Sequence, residues 1–235
     1  MSMICVLAGF CWMDRALLAR DQENAASGSA EPAEVKALID RAEQALGTNG
    51  ADASSVLSDP GYLSVHAWPR FRDLIKTHAR GSSIRIVTPQ EPGQRLRVQM
   101  RLVEADGSAS VGALVYFYHT DAGGEYGPND AQVPLAGSDN NYARLFGYAV
   151  TDSNGTIEIQ TIRPGGYPGA GVPEHIHVRI WYPDKRSFGA EIWFDDDPRV
   201  NREAREEAAR DRIVICPVKV EALGHRSIEA IIRLD

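Results

Sequence analysis

Cysteine is scarce in this chain: Cys5, Cys11 and Cys216 are the only three in 235 residues. Three scattered thiols build no disulfide framework, and without a C-x-x-C spacing they form no cysteine zinc site. Positive charge is not in excess either. Lysine and arginine number 25 against 32 acidic residues, for a net charge of −7. With no arginine-rich stripe and no RNA-binding aromatic motif, this balance argues against a nucleic-acid partner. Long apolar runs are also missing. The segment Met3 to Met13 is apolar for only eleven residues. A membrane-spanning helix needs roughly 20, so no membrane span is expected. No Lys or Arg precedes this segment, as the start of a signal peptide requires. We read it as packed on the body or on a partner subunit of a cytoplasmic protein. Export and a misassigned start codon are the competing readings. No internal repeat is found.

What is present is apolar content of 43%, enough for a sizeable core. Residues 14 to 30 are polar and small, as in a linker. Residues 31 to 47 carry Val35, Leu38, Ile39, Ala42 and Leu46 at three- and four-residue steps, with Pro32 in the first turn and Gly47 as a stop. This predicts an amphipathic helix. Residues 48 to 61 return to loop composition, and residues 68 to 80 predict a second short helix closed by Gly81. These helices read as scaffold or as the contact of a homodimer. His66 and His78 lack a partner at ligand spacing and are expected at the surface.

From Ser83 the period changes to two. IRIV, RLRVQMRLVEA, ALVYFYHT, FGYAVT, TIEIQTI, HIHVRIWY, AEIWF, IVICPVKVEA and the closing HRSIEAIIRLD are short β-rich runs separated by Gly-, Pro-, Asp- and Asn-rich turns. The expected fold is mainly β: an antiparallel β-sandwich core, residues 83–235, behind an N-terminal helical and linker segment, residues 1–82. Residues 196 to 213 read as a charged, solvated helix or long loop.

One stretch stands apart: Thr161 to Ile180, TIRPGGYPGAGVPEHIHVRI. His175 and His177 are two apart on a strand pattern, so their imidazoles share a face. Pro164, Gly165, Gly166, Pro168, Gly169 and Gly171 form a loop that presents Tyr167 at a turn. Neutral imidazole suits iron, zinc, copper and nickel. Phenolate is a rarer ligand, because a free tyrosine ionises only near pH ~10. A hard, highly charged cation stabilises the anion, which makes Fe(III) the natural candidate. The plain alternative is a polar histidine pair at a strand end beside a turn tyrosine.

Further motifs extend this one. VGALVYFYHTDAGGEY, GYAVTDSNGTIEIQTIRPGGYP, VPEHIHVRIW and EIWFDDDP together give G-x-Y, T-D-x-x-G, T-I-R-P-G-x-Y and P-x-H-I-H. From roughly Arg97 to Pro198 the chain resembles the intradiol ring-cleavage dioxygenases: the catechol, hydroxyquinol and protocatechuate 3,4-dioxygenases. The resemblance implies a non-haem Fe(III) held by Tyr126, Tyr167, His175 and His177. It also implies a catechol-type aromatic diol and O2 as substrates, with ortho cleavage to a muconate-type diacid. Tyr167 is then the catalytic residue, leaving the metal to take a substrate proton.

The chain departs from the family pattern in three places. Catalytic members usually carry Arg-Pro-Ala-His-x-His, where this chain has Val172-Pro173-Glu174-His175-Ile176-His177. Val172 thus replaces an arginine thought to stabilise charge on the substrate ring. Glu174 replaces a small residue, and Glu191 stands at the family's glutamine. Both acids are expected to disfavour an anionic substrate. Val172, Glu191 and Arg163 are the expected substrate-binding residues, with Arg163 and Arg144 as possible substitute cations. For Arg163 a structural salt bridge beside the Gly/Pro loop is the favoured role over that of a substitute cation. His119 is expected as a solvated strand-end residue, and Tyr142, Tyr148, Trp181 and Trp193 as packing residues. The loop 127 to 141 would read ring substituents. A non-catalytic sandwich that binds metal or catechol is the alternative function, and a carbohydrate- or cell-surface-associated sandwich is a third.

Overall fold

A computed structural model describes residues 31–48, 50–127, 143–182, 187–221 and 224–234. The apolar segment Met3 to Met13, the linker 14 to 30, Tyr142 and all but Gly127 of the loop 127 to 141 lie outside the described residues.

The helical segment holds α1 (Ala33–Thr48), α2 (Ala53–Leu57), a 3-10 turn (Pro60–Val65) and α3 (Pro69–Thr77). Helix α1 buries the predicted Ile39, Ala42 and Leu46. Residues 48 to 61, expected as loop, hold α2 and the start of the 3-10 turn. Each is nucleated by an aspartate cap: Asp52 accepts from Ser55 N–H at 2.7 Å and Asp59 from Gly61 N–H at 2.8 Å. Such caps satisfy orphan backbone donors at an element's start, and Val56 and Leu57 are buried behind them.

The β region holds β1 (Ser83–Arg85), β2 (Arg95–Glu104), β3 (Leu114–His119), β4 (Leu145–Val150), β5 (Thr156–Ile162), β6 (His175–Trp181) and β7 (Ser187–Phe194). After α4 (Arg202–Ala208) come β8 (Ile213–Cys216), β9 (Lys219–Val220) and β10 (Arg226–Leu234). Two five-stranded sheets result, ordered β1-β5-β2-β10-β9 and β4-β3-β6-β7-β8. The expected mainly β fold is found, though the sheets are mixed. Pairs β1·β5, β2·β10 and β7·β8 run parallel and the others antiparallel. One hydrophobic cluster takes residues from both sheets and from the helices, including Phe117, Phe146, Ile176 and Val98 with Phe71 and Ile75. Alternation along β6 puts Ile176, Val178 and Ile180 into this core. His175 and His177 therefore occupy the opposite face.

Helix α3 is fastened to the sandwich by buried polar groups. Arg72 donates to the Ala143 carbonyl at 2.8 Å and to the Tyr116 hydroxyl, with its guanidinium 3.8 Å from the Phe146 ring centre. His66, expected at the surface, is fully buried. It stacks on Phe71 at 5.2 Å and its Nδ1–H donates to the Arg144 carbonyl at 3.0 Å. A neutral imidazole with one hydrogen bond packs like an aromatic ring, and nothing in its sequence neighbourhood reveals that. His119 is likewise buried rather than solvated. Its Nδ1–H donates to the Thr120 carbonyl at 2.6 Å, so its Nε2 accepts from the Thr161 hydroxyl at 2.7 Å.

Burial lowers the pKa of both His66 and His119 from 6.5 to about 4. The unfolded chain takes up these protons near 6.5, and the folded chain refuses them until about 4. Stability is therefore full above the unfolded value and falls as the pH drops through that window, each histidine contributing on the order of 3 kcal/mol. Urea unfolding should show the midpoint falling from neutrality to about pH 4.5. A flat profile there would contradict the burial of both rings.

Candidate metal centre

Strand β6 supplies two imidazoles and two loops supply two phenols. The loop after β3 turns sharply at Asp121, whose Oδ1 accepts from Gly123 N–H at 2.8 Å and Glu125 N–H at 3.1 Å. The loop after β5 lies directly against it. Gly165 N–H donates to the Asp121 carbonyl at 2.8 Å, and the Thr120 hydroxyl donates to the Gly165 carbonyl at 2.7 Å. The approach is close enough to require glycine. A Cβ on Gly124, whose φ is +86°, would lie 2.1 Å from the Gly166 carbonyl oxygen. One on Gly165 would lie 2.6 Å from both the Ala122 oxygen and the Gly124 nitrogen. The abutting loops carry Tyr126 and Tyr167 to one point, where their hydroxyls share a short hydrogen bond.

Both histidines reach the same point. Tyr126 Oη is 2.9 Å from His177 Nε2, and Tyr167 Oη is 3.0 Å from His175 Nε2 and 3.4 Å from His177 Nε2. The two Nε2 atoms are 3.0 Å apart. His175 Nδ1 lies 2.7 Å from the Pro173 carbonyl, which can only accept, so Nδ1 carries the proton and Nε2 turns a lone pair inward. His177 Nδ1 faces Glu191 Oε1 at 3.5 Å. Glu191 is held in turn by the Trp193 indole N–H at 2.9 Å. The Tyr118 ring stacks on His177 at 4.6 Å.

This arrangement fits a metal ion. Two imidazole nitrogens facing each other at 3.0 Å need a proton or a cation between them. Donors about 2.1 Å from a shared ion and at right angles to one another would be separated by about 3 Å, near the separations found. Histidine ligands normally have the other ring nitrogen held by a carbonyl or carboxylate; His175 has the Pro173 carbonyl at 2.7 Å, and His177 has the Glu191 carboxylate nearby at 3.5 Å. Burial, then the neighbouring Tyr167, pushes the Tyr126 pKa strongly up, and burial raises that of Tyr167. Burial and the other histidines hold His177 well below its ordinary value, hence neutral. Without a cation the phenols stay protonated; with one they become anionic donors. Among the described residues, His175, His177 and Glu191 also bring one donor atom each within 4.8 Å of one another.

The other expected site residues sit further out. Val172 is 38% exposed in the loop before β6. Arg163 is paired with Glu174 at 2.6 Å and Asp196 at 2.7 Å and lies over the Phe194 ring. Arg144 is bidentate to Glu91 at 2.7 and 2.8 Å. Both guanidinium groups are thus engaged by carboxylates, and Glu174 is neutralised. Glu191 alone carries the negative charge that both acids were expected to add. Sequence reasoning missed Asp197, which is 2% exposed and accepts from Glu174 N–H at 2.6 Å, fixing the entry to β6. It also missed Tyr118 as the ring that backs His177. Alternation puts Tyr118 on the face of Tyr116, but only the β3–β6 register sets it opposite His177.

Comparison with known proteins agrees with this geometry. A family model described as "Dioxygenase" matches residues 68–234. The chain is 26% identical over 151 residues to chlorocatechol 1,2-dioxygenase of Rhodococcus opacus, covering 57% of this chain and 56% of that one. It is 30% identical over 169 residues to the protocatechuate 3,4-dioxygenase beta chain of Burkholderia cepacia, covering 66% of each. The matches thus span less than two thirds of either relative. Among solved structures, the dioxygenase domain of a carbohydrate-binding fusion protein from Streptomyces sp. SirexAA-E superposes with a TM-score of 0.51 at 26% identity, covering 67% of this chain and 88% of that one. Catechol 1,2-dioxygenase from Acinetobacter sp. ADP1 gives a TM-score of 0.51 at 19% identity, covering 66% of this chain and 59% of that one, a likeness of fold. The chain belongs to the intradiol ring-cleavage dioxygenase family. No helix among the described residues is long and apolar enough to cross a membrane.

Proposed function

We propose that this protein is a non-haem Fe(III)-dependent intradiol dioxygenase that cleaves a catechol-type ring between its hydroxyl groups with O2. The product is a muconate-type diacid. The observation that carries the reading is the meeting of Tyr126, Tyr167, His175 and His177 at one point, with two imidazole lone pairs 3.0 Å apart. Fe(III) bound there would supply Lewis-acid activation of the diol and a template for O2.

The chain's own residues do the rest. Tyr167, carried on the Gly/Pro loop, is the group we assign to take the substrate's hydroxyl proton. Tyr126 and the two histidines stay in place as the fixed donors. The Pro173 carbonyl holds His175 in the tautomer that leaves Nε2 free, and the Glu191 carboxylate stands 3.5 Å from His177 Nδ1, where it favours the same tautomer. The preferred ring is neutral, for two reasons. Glu191 adds negative charge beside His177, and Arg163 and Arg144 are committed to carboxylates. Plain catechol should therefore turn over faster than protocatechuate, as followed with an oxygen electrode on the iron-loaded protein. One O2 consumed per catechol supports the reading, and no uptake with any catechol contradicts it.

The alternative, a sandwich that binds metal or catechol without turnover, draws on Val172 standing where the family carries arginine. Glu191→Gln tests how the centre is supported. Replacing Glu191 by Gln weakens the acceptor for His177 Nδ1–H. Iron affinity should then fall about 10- to 100-fold, measured by competition with a chelator. Unchanged affinity would remove Glu191 from the support of the centre.

A further inference from the structure

A second concave site lies on the other sheet, where β2 and β10 begin and β5 ends. It encloses about 330 Å³. Cavities of this size hold small molecules. Its walls carry Arg85, Arg95, Arg97 and Arg226 against one acidic side chain, Glu221. In a chain of net charge −7 this is a local reversal of sign. Concave walls of one charge concentrate counter-ions of the other.

The charge is mostly unanswered from within. Arg97 pairs with Glu221, and with Glu158 at 3.7 Å. Among the described residues the Arg85 guanidinium donates only to the neutral Gln160 amide, at 2.9 and 3.1 Å, and that of Arg95 to the Pro89 carbonyl at 2.6 Å. Arg226 makes no ion pair among the described residues. It acts on Asp196, but Asp196 is held by Arg163 at 2.7 Å. Arg95 Nη1 and Arg226 Nε are buried without an acceptor among the described residues. Surplus guanidinium charge of this kind matches the planar, two-oxygen geometry of carboxylate and phosphate. Pro89 lines the same cavity and offers an apolar surface to a carbon skeleton, while Val87 and Leu96 turn their side chains into the core behind it.

We propose that this arginine cleft binds a small organic oxyanion, a molecule with a carboxylate or phosphate on an apolar body. The site is separate from the tyrosine–histidine centre and does not depend on the reaction assigned to it. Two probes test it by calorimetric titration of the full chain: phthalate, and inorganic phosphate. Saturable binding of one equivalent is expected. Arg95→Gln and Arg226→Gln should each weaken it about tenfold or more. Arg85→Gln is an exposed change that spares the fold and should weaken binding as well. Arg101→Gln, exposed further along β2 and outside the cleft, is the charge control and should leave affinity unchanged. Tighter phthalate binding identifies an organic carboxylate as the ligand type, and tighter phosphate binding a phosphate ester. No saturation by either probe overturns the proposal, as does a loss in Arg101→Gln equal to that in the cleft variants.

Discussion

Replacing Tyr167 by phenylalanine should lower catechol-dependent O2 uptake by about 10²- to 10⁴-fold, the range for loss of a positioned proton acceptor. The ring, its T-shaped contact with His175 and the backbone of the Gly/Pro loop all remain. Only the hydroxyl that meets Tyr126, His175 and His177 is lost. On the proposed reading, Tyr126 and both histidines keep iron in place, so iron per chain should change far less than turnover. The charge-transfer band should weaken, since one of two phenolate donors is gone. Turnover equal to that of the unsubstituted protein would remove Tyr167 from the chemistry. Loss of iron and fold together would make it a structural residue.

The second large effect comes from a backbone position. Gly124→Ala places a Cβ 2.1 Å from the Gly166 carbonyl oxygen, at a φ of +86°. Neither atom belongs to a flexible side chain, so the two loops must part. Left-handed strain of about 1–2 kcal/mol adds to an overpacking cost of about 1–3 kcal/mol. The expected loss is about 2–5 kcal/mol in urea unfolding. Because these loops carry Tyr126 and Tyr167, iron binding should fall with it. Gly169→Ala is the control. Its φ is +74°, yet a Cβ there meets nothing within 4 Å. It should show the strain alone and keep its iron. Equal iron retention in both variants would separate the loop contact from the metal centre.

The shared histidine face and the tyrosine loop were legible in the sequence because they obey local rules. His-x-His on an alternating strand fixes a shared face, and a run of Gly and Pro around Tyr167 forces a loop. The meeting of Tyr126 with Tyr167 was not local. It depends on Gly124 packing against Gly166 across 42 positions, which only the motif resemblance suggested. A salt bridge for Arg163 was legible, but its partner Glu174 was not, nor was the buried ring of His66, for the same reason. Each depends on which residue lies opposite after folding, and a histidine or a glutamate reads the same in either setting. The parallel pairing of β2 with β10 brings together residues more than a hundred positions apart. Alternation reveals a strand and its faces but never the direction of its neighbour. The short α2 escaped because its propensity is weak, and one Asp52 cap with three buried side chains sustains it.

The measurement that tests the central claim most directly is the visible absorption spectrum of the purified protein, before and after anaerobic addition of catechol. Iron is assayed on the same sample. The proposed centre predicts a broad tyrosinate-to-Fe(III) band in the blue-green region that shifts to longer wavelength with catechol and relaxes when air is admitted. A sample that stays colourless after loading with iron would contradict it, and would leave the four converging side chains without the role assigned to them.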